Sequence, residues 1–106
     1  MEVRICLNTE NTYRINDEMD FEEMDGRAYF FIHSTDKVIV MDEPSYTLWR
    51  CIMQCAEQNQ PVTLPLLRAS FEQEYIFNEE GRTAFPQDMA KTIHFLAQED
   101  FLQDVL

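Results

Sequence analysis

Hydrophobic and polar residues alternate through the middle of the chain in a way that favours strands. Residues 19–24 alternate roughly, and residues 28–33 and 37–41 are short runs rich in aromatic or β-branched side chains. Asp25 and Gly26, between the first two runs, suit the positive φ angles of a two-residue hairpin turn. The pattern therefore predicts a three-stranded antiparallel meander.

The apolar spacing changes to a helical period after this meander. Asp42 is a suitable N-cap for a first helix over residues 43–57, in which Leu48 belongs to the apolar face. Trp49, beside that face, is expected in the core, with a contact to a partner as the alternative. Thr63 offers the cap of a second helix, where leucine and aromatic residues recur three and four positions apart.

A loop and a third helix complete the predicted order. Residues 76–85 contain a glycine and two adjacent glutamates and are predicted to form the loop. Pro86 then begins the third helix, which should end near Asp100. Phe101 and Leu102 are expected to fold back onto the core.

The N-terminal residues predict one further strand. Apolar and polar side chains alternate over residues 3–7, whereas residues 13–18 are predicted to be a connector. We therefore divide the chain into an N-terminal extension, 1–18, and a domain, 19–106. The expected fold class is α+β and winged-helix-like, with a three-stranded antiparallel sheet followed by three helices and an extra N-terminal strand.

The charge of the chain narrows the classes of partner. Its 20 acidic and 8 basic side chains give a net charge of −12, which argues against binding to nucleic acid or to an anionic membrane surface. Residues 1–26 carry eight of the acids, so that end is either solvated or meets a basic partner. No apolar segment approaches the roughly 18 residues of a membrane span. Three cysteines, an odd number, favour a reducing cytoplasm over a disulfide framework.

No pattern of catalytic or metal-binding residues is evident. Cys51 and Cys55 are four positions apart in the first predicted helix, but a zinc site would need about two further ligands. His33 and His94 lie on different predicted elements, and neither belongs to a pair with the spacing of zinc ligands. The two glycines form no phosphate-binding loop. We therefore expect neither an enzyme nor a bound metal or cofactor.

The third predicted strand, Lys37–Met41, lies at an edge of the meander. Such an edge presents unpaired N–H and C=O groups to any extended peptide that can add to it. The alternative is that the N-terminal strand of the same chain, or a second copy of the chain, covers this edge.

The order of these elements and several of their residues resemble the PqqD family, whose members are peptide chaperones of pyrroloquinoline quinone biosynthesis, and the related recognition elements for ribosomally made, modified peptides. Two positions depart from the family pattern, because Asp36 replaces a common glycine and Ile39 a common tyrosine. The residues that carry the resemblance are Asp25, Gly26, Tyr29 to Ile32, Val38 to Asp42, Ser45, Leu48, Trp49, Thr63, Leu67, Phe71, Tyr75, Asp88, Phe95, Leu96, Phe101 and Leu102.

The resemblance implies a function in peptide recognition. In such domains the leader segment of a precursor peptide adds to the third strand and lies against the third helix, and the domain presents it to a modifying enzyme. The resemblance implies a radical S-adenosylmethionine enzyme as the first choice for this chain. Lys37 and Lys91 would then face acidic leader residues. The implied binding residues are Lys37, Val38, Ile39, Val40, Met41, Asp88, Lys91, Thr92 and Phe95.

Three alternatives remain open at this point. A DNA-binding winged helix would need a basic third helix, yet Lys91 is outnumbered there by acids. A small enzyme or metal protein would have to use the cysteines and a histidine. A structural dimer would pair its own edge strands, so the chain is expected to be either a monomer or a homodimer.

Overall fold

Two sheets and three helices make up the fold. The computed structural model describes residues 1–105. The strands are β1 (Glu2–Cys6), β2 (Glu10–Ile15), β3 (Met19–Met24), β4 (Arg27–Ile32), β5 (Lys37–Met41), β6 (Val62–Thr63) and β7 (Leu102–Asp104), and the helices are α1 (Glu43–Glu57), α2 (Leu64–Glu72) and α3 (Glu79–Gln98). The predicted α+β class is therefore confirmed.

The predicted meander is the sheet β3-β4-β5, in which both neighbouring pairs are antiparallel. Asp25 and Gly26 join the first two strands with φ angles of 53° and 75°, as a two-residue hairpin turn requires. Asp36, in the next turn, has a φ of 54°. This is a conformation that glycine favours and that aspartate adopts more readily than most residues, so the turn tolerates the departure from the family pattern.

The N-terminal residues form a second sheet, in the order β6-β1-β2-β7. The strand predicted over residues 3–7 is confirmed as β1, but the prediction of a connector over 13–18 is wrong for its first three residues, which belong to β2. That strand lacks a clear apolar alternation, since only Ile15 in it is buried. Its pairing with β1 and β7 holds it in place. Val3, Ile5 and Ile15 pack into the same core as the rest of the chain.

The first two helices are capped by the predicted residues. The N–H of Ser45 donates to Oδ1 of Asp42 at 2.9 Å, and the N–H of Leu66 donates to Oγ1 of Thr63 at 3.4 Å. The bounds predicted for the first helix, 43–57, are confirmed. Side-chain caps satisfy N–H groups that have no partner within the helix, so these two starts are set locally.

Helix α3 begins seven residues before the predicted start, because residues 79–85 are helical and Pro86 lies inside the helix. Asn78 caps it by accepting a bond from the N–H of Gly81 at 2.7 Å. Glu79 and Glu80 follow in the first turn, where negative charge complements the helix dipole. Pro86 lacks the N–H that would bond one turn back. The buried side chains of Phe85 and Met89, on either side of it, hold the helix against the core.

The end of α3 returns the chain to the core. Asp100 has a φ of 70°, and the N–H of Phe101 donates to the carbonyl of Leu96 at 2.9 Å, which is the bonding of a Schellman motif. Phe101 is fully buried, and its ring centre lies 5.1 Å from that of Phe30 and 5.3 Å from that of Trp49. The predictions of a folded-back C-terminus and of Trp49 in the core are both confirmed.

Asn16 ties this return to the junction between the two sheets. Its N–H donates to the carbonyl of Phe101 at 3.0 Å, and its Nδ2 donates to the carbonyl of Asp100 at 2.9 Å. Its Oδ1 accepts a bond from the N–H of Glu18 at 2.9 Å. The buried amide side chain is therefore satisfied on both its donor and its acceptor side.

Replacing Phe101 by alanine tests how much the burial of this side chain contributes to the stability of the fold. We expect Phe101→Ala to lower the free energy of unfolding by about 3–5 kcal/mol, because it leaves a cavity between β4 and α1. Phe95→Ala removes the same side chain from a position that is 36% exposed, and should cost about 1–2 kcal/mol. Urea unfolding followed by circular dichroism measures both, and equal losses would contradict the assignment of Phe101 as the central core residue.

Candidate functional site

One edge of β5 is free in the part of the chain that the structure describes. This strand pairs with β4 alone, and no other described strand lies on its far side. Val38 and Val40 are 62% and 49% exposed, whereas Ile39 is half-buried and Met41 is buried against the core. The strand thus presents both an unpaired edge of main-chain groups and exposed apolar side chains.

One hydrogen bond at the end of the β3-β4 pair shows which main-chain groups of β4 point towards β3 and which point towards β5. The N–H of His33 donates to the carbonyl of Glu18 at 3.1 Å, just beyond the paired residues of β3 and β4. In an antiparallel pair, bonded and non-bonded positions alternate. Tyr29 and Phe31 therefore direct their main-chain groups towards β3. The alternate residues of β4 direct their main-chain groups towards β5. They are Ala28, Phe30 and Ile32.

The same alternation identifies the free groups of β5. The partners of the three β4 residues just listed are Met41, Ile39 and Lys37. These three use their main-chain groups within the sheet. The N–H and C=O groups of Val38 and Val40 consequently point away from the sheet, at the free edge.

Residues of helix α3 and of the turn after it lie near both ends of β5. At one end, Nζ of Lys37 lies 3.5 Å from Oε2 of Glu99, just after the helix, and the Ser34 hydroxyl bonds the Asp100 carboxylate. At the other end, Asp42 shares a pocket with Lys91 of α3. From Lys37 to Met41 a strand extends roughly 13 Å. From Lys91 to Glu99 a helix extends roughly 12 Å, so the two elements match in length.

The shared pocket has a volume of about 500 Å³ and lies between the start of α1 and the first half of α3. Of the predicted binding residues it brings together Asp88, Lys91 and Thr92. Phe95, one turn further along α3, is partly exposed but does not line the pocket. The predicted residues of β5 do not line it either. The strand reaches the pocket through Asp42, the residue after Met41.

Two of these polar residues differ in what they offer a ligand. The hydroxyl of Thr92 donates to the carbonyl of Asp88 at 2.9 Å, so its hydrogen already has an acceptor within the helix. Lys91 is exposed. A flexible ammonium group at the rim of an apolar pocket can pair with a carboxylate on a ligand.

The apolar lining of this pocket was not predicted from the sequence. Phe71, Tyr75, Phe77 and Phe85 line it, together with Ile76, whose side chain is fully exposed. The last four lie in or beside the segment predicted as a loop. The signal that could have located them is Asn78 followed by two glutamates, which is typical of a helix start. A helix that begins there brings Phe77, just before the cap, and Phe85, within the helix, to the same pocket.

The cysteines and histidines form no cluster that could hold a metal ion among residues 1–105. No group of three or more His, Cys, Asp or Glu side chains converges on a position for a metal ion there. Cys51 and Cys55 are buried free thiols, and burial, with a smaller contribution from Cys51, raises the pKa of Cys55. A raised pKa keeps the thiol protonated, which is the opposite of what a nucleophilic cysteine needs.

Compared with models of known families, with curated proteins and with solved structures, the chain gives no match. No helix in the described part of the chain is long and apolar enough to cross a membrane. The resemblance to peptide-recognition domains therefore depends on the residues that carry it and stays a prediction.

The raised pKa of Cys55 predicts how stability depends on pH. Because the folded state favours the protonated thiol, this contribution is present below the pKa of the unfolded thiol, about 8.5, and is lost as the pH rises through the folded value. We expect the difference in urea midpoint between the wild type and Cys55→Ala to shrink in alkaline buffer. A difference that stays constant or grows across that range would contradict the direction of the shift.

Proposed function

We propose that this chain is a non-catalytic adaptor that binds the leader segment of a ribosomally made precursor peptide and presents it to a modifying enzyme. The leader adds as a strand to the free edge of β5. The observation that carries the proposal is the outward direction of the main-chain groups of Val38 and Val40, beside α3. A radical S-adenosylmethionine enzyme is the partner that the family resemblance favours.

Strand addition accounts for affinity without a specific leader sequence. Each outward N–H and C=O of β5 pairs with the peptide main chain, as in other edge-strand complexes. Peptide side chains alternate between the two faces of the extended sheet. Those on the inner face enter the space between β5 and α3, and those on the outer face lie beside the exposed Val38 and Val40.

The charges around the edge favour an acidic leader. Lys37 and Lys91 are the only two lysines of the chain, and both lie at this site. Lys37 is paired with Glu99 but remains more than half exposed, so a peptide carboxylate can exchange with that partner. Asp88 and Asp42 at the pocket would oppose an acidic residue placed deeper, which favours an apolar or aromatic side chain there.

The opposite edge of the meander is less suited to the same peptide. Strand β3 is also an edge of its sheet and carries Asp20, Glu22 and Glu23. Charged residues on an edge discourage pairing, and acidic ones repel an acidic leader. The β5 edge has only Lys37 as a charged residue.

The charge of α3 argues against the rival function of duplex binding. A winged helix that enters the major groove needs basic side chains to neutralise phosphates. Helix α3 contains three acidic and two basic residues. An adaptor for peptides therefore fits this helix better than a DNA-binding regulator.

Proline substitutions test strand addition directly. Val38→Pro with Val40→Pro removes the two outward N–H donors and leaves the bonds between β4 and β5 intact, so the fold should be retained. Peptides are first selected against the wild type from a displayed library of random short sequences and then titrated by calorimetry. We expect the double variant to lose at least tenfold in affinity, since two main-chain bonds are lost.

The matched control is Val38→Thr with Val40→Thr, which keeps both donors and changes only the side chains. It should bind the selected peptides within about threefold of the wild type. Circular dichroism and the unfolding midpoint establish that each variant is folded. Equal affinity of the folded proline variant and the wild type would exclude addition to β5.

A charge reversal at Lys91 tests the expected acidity of the peptide. We expect Lys91→Glu to weaken binding of an acidic selected peptide by roughly three- to tenfold, with a smaller effect at high salt. Arg14→Glu, on β2, changes the net charge equally and lies away from the site. Calorimetric titrations should show little effect of this control, and an equal loss in both variants would attribute the effect to overall charge.

A further inference from the structure

A second pocket lies on the other side of α1, between that helix and the start of β3. Its volume is about 450 Å³, and it shares no lining residue with the pocket at α3. The residues that form its apolar walls and its acidic rim include Asp17, Phe21, Tyr46, Trp49, Met53 and Glu57. None of the binding residues that the resemblance implies lines this pocket, and the proposed leader site does not include it.

The interior of this pocket is aromatic. Phe21 is 49% exposed, although its ring centre lies 5.0 Å from that of Phe30 and 5.8 Å from that of Tyr46, with which it stacks. The buried Trp49 and the half-buried Met53 complete the wall on α1. A partner side chain that covers this half-exposed phenylalanine would remove apolar surface from water, which lowers the free energy of the complex.

The rim of the pocket is acidic. Asp17 and Glu57 both line it, and neither has an ion pair among the described residues. Arg50 also lines the pocket, but its guanidinium lies 3.4 Å from Oε1 of Glu74, which offsets its charge. The free charge at the rim is therefore negative.

The pocket already contains one contact of the kind that a basic ligand would make. The guanidinium carbon of Arg50 lies 5.0 Å from the centre of the Tyr46 ring, within the range of a cation–π interaction. An incoming cation would find the exposed ring of Phe21 and the carboxylates of Asp17 and Glu57. This combination fits a Lys or Arg side chain next to an apolar one.

The rim is held in position before any ligand binds. Asp17 lies between Asn16, whose main chain and side chain bond Phe101 and Asp100, and Glu18, whose N–H donates to Asn16. These bonds fix the segment on both sides of the Asp17 carboxylate. Because little order has to be gained on binding, the cost in conformational entropy at this rim is small.

We propose that this second pocket binds a basic, apolar segment of a protein partner, through an apolar side chain in the aromatic interior and a neighbouring Lys or Arg at Asp17 and Glu57. Charge complementarity selects this occupant, since Asp17 and Glu57 make the pocket rim acidic and the chain has a net charge of −12. A second copy of the chain would bring like charges together. The proposal does not depend on leader binding at β5.

The single tryptophan of the chain, Trp49, lines this pocket and reports on it. The probe is a capped peptide of alternating lysine and phenylalanine, titrated against the full chain while the emission of Trp49 is recorded. We expect a saturable change that weakens with salt. The same peptide with glutamate in place of lysine should bind at least tenfold more weakly, because it meets the acidic rim with the wrong sign.

Four variants locate the binding. Asp17→Asn with Glu57→Gln should weaken it roughly three- to tenfold, and so should Phe21→Ser. Glu2→Gln with Glu72→Gln removes two negative charges elsewhere on the surface and should change the affinity less than about twofold. The folded proline variant of β5 should bind the probe as the wild type does, which separates this pocket from the proposed leader site.

Four results with the peptide probes would overturn the proposal: no saturable change, equal weakening by the two carboxylate double variants, equal binding of the glutamate peptide, or loss of binding in the proline variant. Lysine amide alone serves as the last probe. If it bound as tightly as the peptide, the pocket would be a site for a small amine and not for a protein segment.

Discussion

The insertion of Phe101 between β4 and α1 is the interaction on which the rest of the structure depends. Its ring contacts Phe30 and Trp49, and the main chain beside it is held by Asn16, at the crossing from the first sheet to the second. One buried side chain thus joins the meander, the first helix and the C-terminal strand.

The burial of Phe101 also sets the positions of the two proposed binding surfaces. Because α3 ends where Phe101 enters the core, the carboxylate of Glu99 lies beside Lys37 of β5, and the helix would form one wall of the proposed leader site. Because Asn16 bonds the same turn, Asp17 is held at the rim of the second pocket. The surfaces differ in their charged groups, since both lysines of the chain lie at the first, whereas Asp17 and Glu57 at the second have no ion pair among the described residues. An acidic peptide and a basic partner segment would therefore bind at different places.

Much of the fold follows from local features that a sequence displays. The Asp25-Gly26 turn, the caps Asp42 and Thr63 and the runs of β-branched residues each act over a few neighbouring positions. The start of α3 was missed because Pro86 suggested a helix start more strongly than Asn78 did, although the cap and the buried Phe85 outweigh the bond that proline removes. Part of β2 was missed because a strand with one buried residue has no clear period.

The sequence by itself determined the three meander strands, the three helices that follow them, the acidic charge and the place of Lys37–Met41 at an edge of the meander, since each depends on composition or on short-range periodicity. Only the tertiary structure decided which main-chain groups of that edge point outward, where α3 lies relative to it, and that aromatic residues far apart in the chain enclose two separate pockets. These properties arise from pairing and packing between distant segments. No local pattern encodes them, because the segments meet only when the core closes around Phe101.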